Sequence, residues 1–368
     1  MAGEMGAMGA MGAMGAMGAL GAMGAMGAMG ASASAVPEGG LMLADALIKT
    51  RGGLVDASAV ATLSPAMPGI DDVTAMSRWA PFVRQHVLLF DLIAALHFET
   101  DDKSAGLLHR SPAAKKVPSG LHPIVAMRRP TQDVFKQQVK LVDAWAELRE
   151  ERASEILSQL TPQFAYWNAV ASLNLERRPK TLELMWLALA FASFVEMRFK
   201  HALACPRPAE YSPHIQPVIA TPLHGSLPSG HATEAFMIVY LIEKLLPHGA
   251  HLRETLQRLA ARTSINRTVA GVHFPIDSIA GQILGQTLGE YLVWRCLRDP
   301  RPGASARSGT PWRSRVFEAR DGAADFLPDH EVVEGELVSD LPPVPRKGAA
   351  PCALGWLWDQ ARAEWPHG

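Results

Sequence analysis

NRTVAGVHFPIDSIAGQILGQTLGEYLVWRCL, residues 266–297, is the stretch whose reading decides the fold. Pro275 suits the first position of a helix, where its fixed φ is already helical and its missing N–H goes unused. The mostly apolar run behind it predicts one long helix over residues 275–297. Gly281, Gly285 and Gly289 recur at four-residue spacing, so they fall near one face. Each glycine costs about 1 kcal/mol of helix propensity relative to Ala. The compensation is a flat groove that lets another helix approach closely.

Working outward, the same periodicity recurs. Residues 131–160 place Val134, Phe135, Val139, Val142, Trp145, Leu148 and Ile156 at roughly helical spacing. Further helices are predicted over residues 164–175, 180–204, 230–247 and 251–268, with breaks at Pro162, at Pro206 and Pro208, and at Pro247-His248-Gly249. Residues 76–100 predict a helix after Pro81. Residues 101–130, with Lys103, Arg110, Lys115, Lys116, Arg128 and Arg129, read as a solvated loop, or alternatively as a basic patch facing a substrate. Strand signals are weak everywhere. The expectation is therefore an all-α helical bundle.

The ends have a different composition. Residues 5–31 repeat Met-Gly-Ala, and no basic region precedes them as in a signal peptide. The organisation expected is a low-complexity N-terminal region (1–75), a helical lead-in and loop (76–130), a catalytic domain (131–298) and a mostly irregular C-terminal tail (299–368). Trp356, Trp358 and Trp365 are placed to dock that tail on the core.

Of 368 residues, 48% are hydrophobic and the net charge is −1. A sizeable core is affordable, and no overall basic excess points to nucleic acid. Three cysteines, Cys205, Cys296 and Cys352, are too few and scattered for a disulfide framework, and no C-x-x-C pair suggests zinc. The best spanning candidate, residues 182–199, contains Glu183, Glu196 and Arg198, so a buried helix is the better reading. We expect a soluble chain, cytoplasmic rather than periplasmic, with no transmembrane segment. Oligomeric state is not legible.

Three segments carry chemistry. FKHALACPRP (199–208) puts Lys200 near a helix end and Arg207 seven positions on. Taken alone, two cations there only complement the helix dipole. HGSLPSGHATEAF (224–236) puts Ser229 at an N-cap, Gly230 in the first turn and His231 beside it. Free amides and the dipole there cradle an anion. In NRTVAGVHFPIDSIAG (266–281), Arg267 lies six positions before His273, and Asp277 lies four after it. That spacing lets the carboxylate fix the imidazole tautomer. Separately, a capped helix or a packed core histidine explains each segment. Together, three cations, two histidines, a carboxylate and a helix N-terminus within 78 residues point to an oxyanion site.

The order K-x6-R-P, P-S-G-H, R-x5-H-x3-D resembles the signature of the type 2 phosphatidic acid phosphatase / vanadium haloperoxidase superfamily. The matching residues are Lys200, Arg207-Pro208, Pro228 to His231, Arg267, His273 and Asp277. Asn266 departs from the pattern, which usually has Ser there. The resemblance implies a helical bundle and a metal-independent phosphatase acting on a small phosphoester, with no cofactor. It implies that Lys200, Arg207 and Arg267, with Ser229 and Gly230, hold the phosphoryl oxygens. His273, oriented by Asp277, would form a phosphohistidine, and His231 would act as acid, then base. The alternative is a vanadium haloperoxidase, in which His273 would ligate vanadate. Nineteen residues between Pro208 and Pro228 look compact, like the phosphatases, whereas His224 at the site mouth is similar to the bromoperoxidase branch. A non-catalytic oxyanion binder is a third reading, against which the presence of both histidines argues.

Overall fold

Helix α10 (Pro275–Leu297) forms as expected and runs through the core. The structure is a computed structural model that describes residues 41–52, 64–70, 72–110, 120–161, 163–246, 250–297, 312–328 and 353–365. The Met-Gly-Ala repeat, Lys115, Lys116, Pro162, Pro247-His248-Gly249, most of residues 300–350 and Cys352 lie outside the described residues. Ahead of α10 come α1 (Leu41–Gly52), α2 (Pro81–Ala94), α3 (Gln132–Trp145), α4 (Arg149–Ser158), α5 (Phe164–Ala171), α6 (Pro179–Leu203), α7 (Pro208–Tyr211), α8 (Gly230–Leu245) and α9 (Ala250–Val269). Helix α11 (Ala353–Ala363) follows. Among the described residues no helix is long and apolar enough to cross a membrane.

The glycine groove has a definite occupant, α8. A Cβ on Gly281 would lie 2.6 Å from the Ser229 carbonyl oxygen and 2.7 Å from the Ala232 Cβ. A Cβ on Gly285 would run into the Thr233 carbonyl oxygen, and one on Gly289 would lie 2.9 Å from the Tyr240 ring. The two helices therefore pack backbone to backbone, which only glycine permits. At the end of this seam the Ser229 amide donates to the Asp277 carbonyl at 2.9 Å.

The all-α expectation is corrected. Residues read as the end of a helix and a solvated loop form β1 (Leu96–Thr100), β2 (Ser104–Arg110) and β3 (Leu121–Arg128), joined by β4 (Arg315–Phe317) from the region expected to be irregular. The order is β1-β2-β3-β4, antiparallel except for the parallel β3–β4 pair. The alternation is real but short: in β2 only Ala105, Leu107 and His109 point inward, between charged flanks. In β3, Pro123 interrupts the pattern, and the register shifts between Leu107 and Leu108. The sheet attaches to the half of α10 away from Asp277. Tyr291 meets Nδ1 of His109 at 2.9 Å, and Glu290 pairs with Arg315 at 2.8 Å.

At the other end of the chain, Glu364 caps α6, accepting from the amides of Lys180 (2.6 Å) and Thr181 (2.8 Å). Trp356, Trp358 and Trp365 are buried, and Arg178 lies 3.6 Å over the Trp365 ring. The apolar faces of α6, α8 and α10 form the centre of the core.

Candidate active site

Burying a cation in such a core is costly unless it is paired. Yet Lys200, Arg207 and Arg267 are among the largest fully buried side chains of the molecule, at 2%, 2% and 1% exposure. How each is satisfied differs. Lys200, on the last turn of α6, gives its ammonium to three carbonyls of the loop before α8: Gly225 (3.4 Å), Ser226 (3.2 Å) and Pro228. An ammonium has three N–H donors, so Lys200 braces that loop.

Arg207 is likewise saturated. Its Nε donates to the His224 carbonyl at 3.1 Å, and Nη2 to Gly225 O (3.2 Å) and to Nδ1 of His224 (3.1 Å). Its Nη1 donates to Val272 O (2.8 Å) and to Nε2 of His273 (3.0 Å). Arg267 is the exception. Nη2 reaches Ile156 O (3.2 Å) and the side-chain oxygen of Gln159 (3.0 Å). Its buried Nε and Nη1 have no acceptor among the described residues. Those N–H groups suit an anion from outside. Burial lowers Lys200 to about 8 and both arginines to about 10.

The histidines are held in opposite tautomers. Nδ1–H of His273 donates to Oδ2 of Asp277 at 3.0 Å, leaving the Nε2 lone pair toward Arg207. The Phe274 amide donates to the same carboxylate oxygen at 3.0 Å. Gly271, at φ +80°, lets the chain turn back between Arg267 and His273. His231 instead donates Nε2–H to the Gln159 carbonyl at 2.9 Å, leaving Nδ1 free.

Both rings are neutral. Burial, then the charge of Arg267, holds His231 down to about 3. Burial, then Arg207 and Lys200, holds His273 well below the ordinary range. His224 falls to about 4 for the same reasons. Burial raises Asp277 to about 6, against the pull of the Phe274 amide.

Ser229 caps α8, its Oγ accepting from the Ala232 amide at 3.5 Å. Gly230 begins the helix, and a Cβ there would lie 2.8 Å from Oε1 of Glu196. His224, Gly225, Gly230 and His231 keep partial exposure. The fold thus brings together every residue expected at the site: Lys200, Arg207, His224, Ser229, Gly230, His231, Arg267, His273 and Asp277.

Several neighbours were not foreseen. Glu196, one turn before Lys200, is buried without a hydrogen bond to Oε2. Burial raises its carboxyl to about 7, against the pull of Lys200 and Arg207. Glu234 on α8 is raised as well, by burial and then by Glu196. The i, i+4 spacing of Glu196 and Lys200 was a visible signal. Gln159 and Glu155, on the far side of a helix break, had none. Asn266 uses its whole amide: Nδ2 donates to Glu155 (2.9 Å) and Gln159 (3.0 Å), and Oδ1 accepts from Arg152 (3.1 Å). A serine hydroxyl has one donor, so the departure from the family pattern serves this local network.

Residues 182–301 match the PAP2 superfamily. The resemblance read from the three motifs is therefore confirmed over the segment that contains them. No curated protein matches the chain. Among solved structures, a transmembrane PAP2-type phosphatidylglycerolphosphate phosphatase from Bacillus subtilis aligns at 21% identity, over 44% of this chain and 85% of that one. Its TM-score of 0.35 is too low for an argument about this site.

Proposed function

We propose that this chain is a phosphatase that hydrolyses a small phosphoester through a phosphohistidine on Nε2 of His273. The observation that carries the reading is the orientation of that ring. Asp277 takes Nδ1–H, and the Nε2 lone pair faces the saturated fork of Arg207, while Arg267, whose charge acts on His231, keeps two buried N–H groups without an acceptor among the described residues. An incoming phosphoryl group would accept from Arg267 and compete with Nε2 for Nη1 of Arg207. As Arg207 turns to the phosphoryl oxygen, the lone pair is released.

Nε2 then attacks phosphorus in line, and the bond to the leaving oxygen breaks. His231 takes up a proton at Nδ1 when the bound dianion offsets the charge of Arg267, and gives that proton to the leaving alkoxide. In the second half, water attacks the phosphohistidine while Nδ1 of His231 takes its proton. The P–N bond breaks, and phosphate leaves. Arg207, Arg267 and the amides at the start of α8 stabilise the charge on the equatorial oxygens. Lys200 acts through the loop it braces and through its charge. No cofactor takes part.

A test is direct. The purified chain, given a chromogenic phosphate monoester and quenched in alkali, should carry an acid-labile phosphoryl group. His273→Ala should carry none and should turn over nothing while keeping its melting temperature. Full turnover by His273→Ala would sink the mechanism.

A second reading rests on His224, whose Nδ1 lies 3.1 Å from Nη2 of Arg207. The same cage suits vanadate, with Nε2 of His273 as its ligand, and vanadate would supply peroxide activation for halide oxidation. Dye bromination that needs vanadate, peroxide and bromide, in a sample without ester hydrolysis, would favour this reading.

A further inference from the structure

We infer that Gln159, at the end of α4 and upstream of the matched segment, is the positioning residue that joins the anion-holding and proton-moving halves of the site. The inference rests on the oxyanion-site reading above, though not on turnover. Gln159 is fully buried, at 0% exposure. Its backbone carbonyl accepts Nε2–H of His231 at 2.9 Å. Its side-chain oxygen accepts Nη2 of Arg267 at 3.0 Å and Nδ2 of Asn266 at 3.0 Å. Its side-chain nitrogen donates to Oε1 of Glu155 at 3.1 Å.

Each contact has a consequence. A carbonyl only accepts, so Nε2 of His231 must keep its proton, and Nδ1 becomes the atom that exchanges protons. The Arg267 fork is aimed by a neutral amide, and its remaining N–H groups stay free. A carboxylate in that place would aim the fork equally well but would cancel its charge. The acid nearest to this network, Glu155, is already engaged: Arg262 takes it with a 2.6 Å contact, and the Asn266 amide at 2.9 Å. Gln159 therefore separates Arg267 from the carboxylate behind it, which leaves the cation to an external anion. This arrangement also explains the asparagine at position 266. Its two donors bridge Glu155 and Gln159 and hold the separating amide in orientation.

The test uses the full chain and two near-isosteric variants, Gln159→Glu and Gln159→Met. Binding of tungstate, a phosphate-shaped dianion, is followed by calorimetry. Gln159→Glu should weaken tungstate binding about 10–100-fold, as loss of a supporting partner or of a buried charge does elsewhere. In a hydrolysis assay it should raise KM more than it lowers kcat. It should also move the alkaline limb of the kcat/KM profile upward, because a carboxylate beside Arg267 relieves the field on His231 and keeps its Nδ1 protonated to higher pH. Gln159→Met should weaken binding without that shift. With Arg267 already changed to Met, Gln159→Glu should alter tungstate affinity by no more than about twofold, within ordinary additivity.

Tungstate affinity within about twofold of wild type in both folded variants would overturn the inference. So would an undiminished Gln159→Glu effect in the Arg267→Met background. If Gln159→Glu does not fold, Gln159→Met in the two backgrounds decides. A wild type that binds tungstate yet hydrolyses no ester removes the phosphatase reading, and the binding data still judge Gln159. A wild type that binds no tungstate removes both.

Discussion

Nη1 of Arg207 donates to Nε2 of His273 across 3.0 Å, so the lone pair of the proposed nucleophile is covered by the cation that would later hold the phosphoryl oxygen. Arg207→Lys keeps the charge and loses the fork. We expect kcat/KM to fall by about 10²–10³, the usual loss for one preorganised donor to a developing oxyanion. Steady-state kinetics on a chromogenic monoester measure it. A loss smaller than about threefold would show that the fork is dispensable.

The second prediction concerns protons. His231 is held to about 3 by burial and by Arg267, which keeps it neutral until an anion offsets that charge. A bound dianion opposes the cation field and raises that value. Binding should then take up protons, and affinity should tighten as pH falls. Calorimetry of tungstate binding in two buffers of different ionisation enthalpy counts the protons. The uptake should shrink in His231→Gln. Equal uptake in both proteins would assign the proton elsewhere.

Glu196 has its own signature. Its carboxyl is raised from 4.5 to about 7 by burial. Between these values the folded protein keeps a proton that the unfolded chain has released. Its contribution to stability is therefore lost as pH rises from about 4.5 through about 7. His231 and His224, lowered to about 3 and about 4 from 6.5, work the other way and lose stability as pH falls below 6.5. Comparing Glu196→Gln with wild type cancels the histidines. The gain in melting temperature should be larger at pH 8 than at pH 5; the reverse order would contradict a buried, raised carboxyl.

Packing supplies the fourth. A Cβ at Gly285 would strike the Thr233 carbonyl oxygen, and backbone cannot move aside as a side chain can. Gly285→Ala should destabilise by about 1–3 kcal/mol, the range for overpacking. Pushing α8 from α10 should also disturb the Ser229–Asp277 contact and lower kcat. Chemical denaturation and kinetics on the same sample measure both. An unchanged kcat in a destabilised variant would show that the seam only holds the fold.

Much was legible because it is local. Helix periods, proline breaks, the Ser229 cap and the His273–Asp277 spacing are relations over a few residues, and the chain folds them as read. The glycine groove was also legible as a close approach, although not which helix fills it. The sheet was not, because its alternation is short, is broken at Pro123, and gains its meaning only when Leu107 and Met127 find the core.

The sequence by itself determined which residue types meet at the site: three cations, two histidines, a carboxylate and a helix N-terminus. Only the tertiary structure decided how each is used. Lys200 and Arg207 spend their donors on loop carbonyls and histidines, whereas Arg267 keeps Nε and Nη1 free. The physical reason is that hydrogen-bond saturation depends on which backbone carbonyls the fold brings within reach. Gln159 meets His231 across 72 positions through such a carbonyl, and no side-chain pattern encodes that contact.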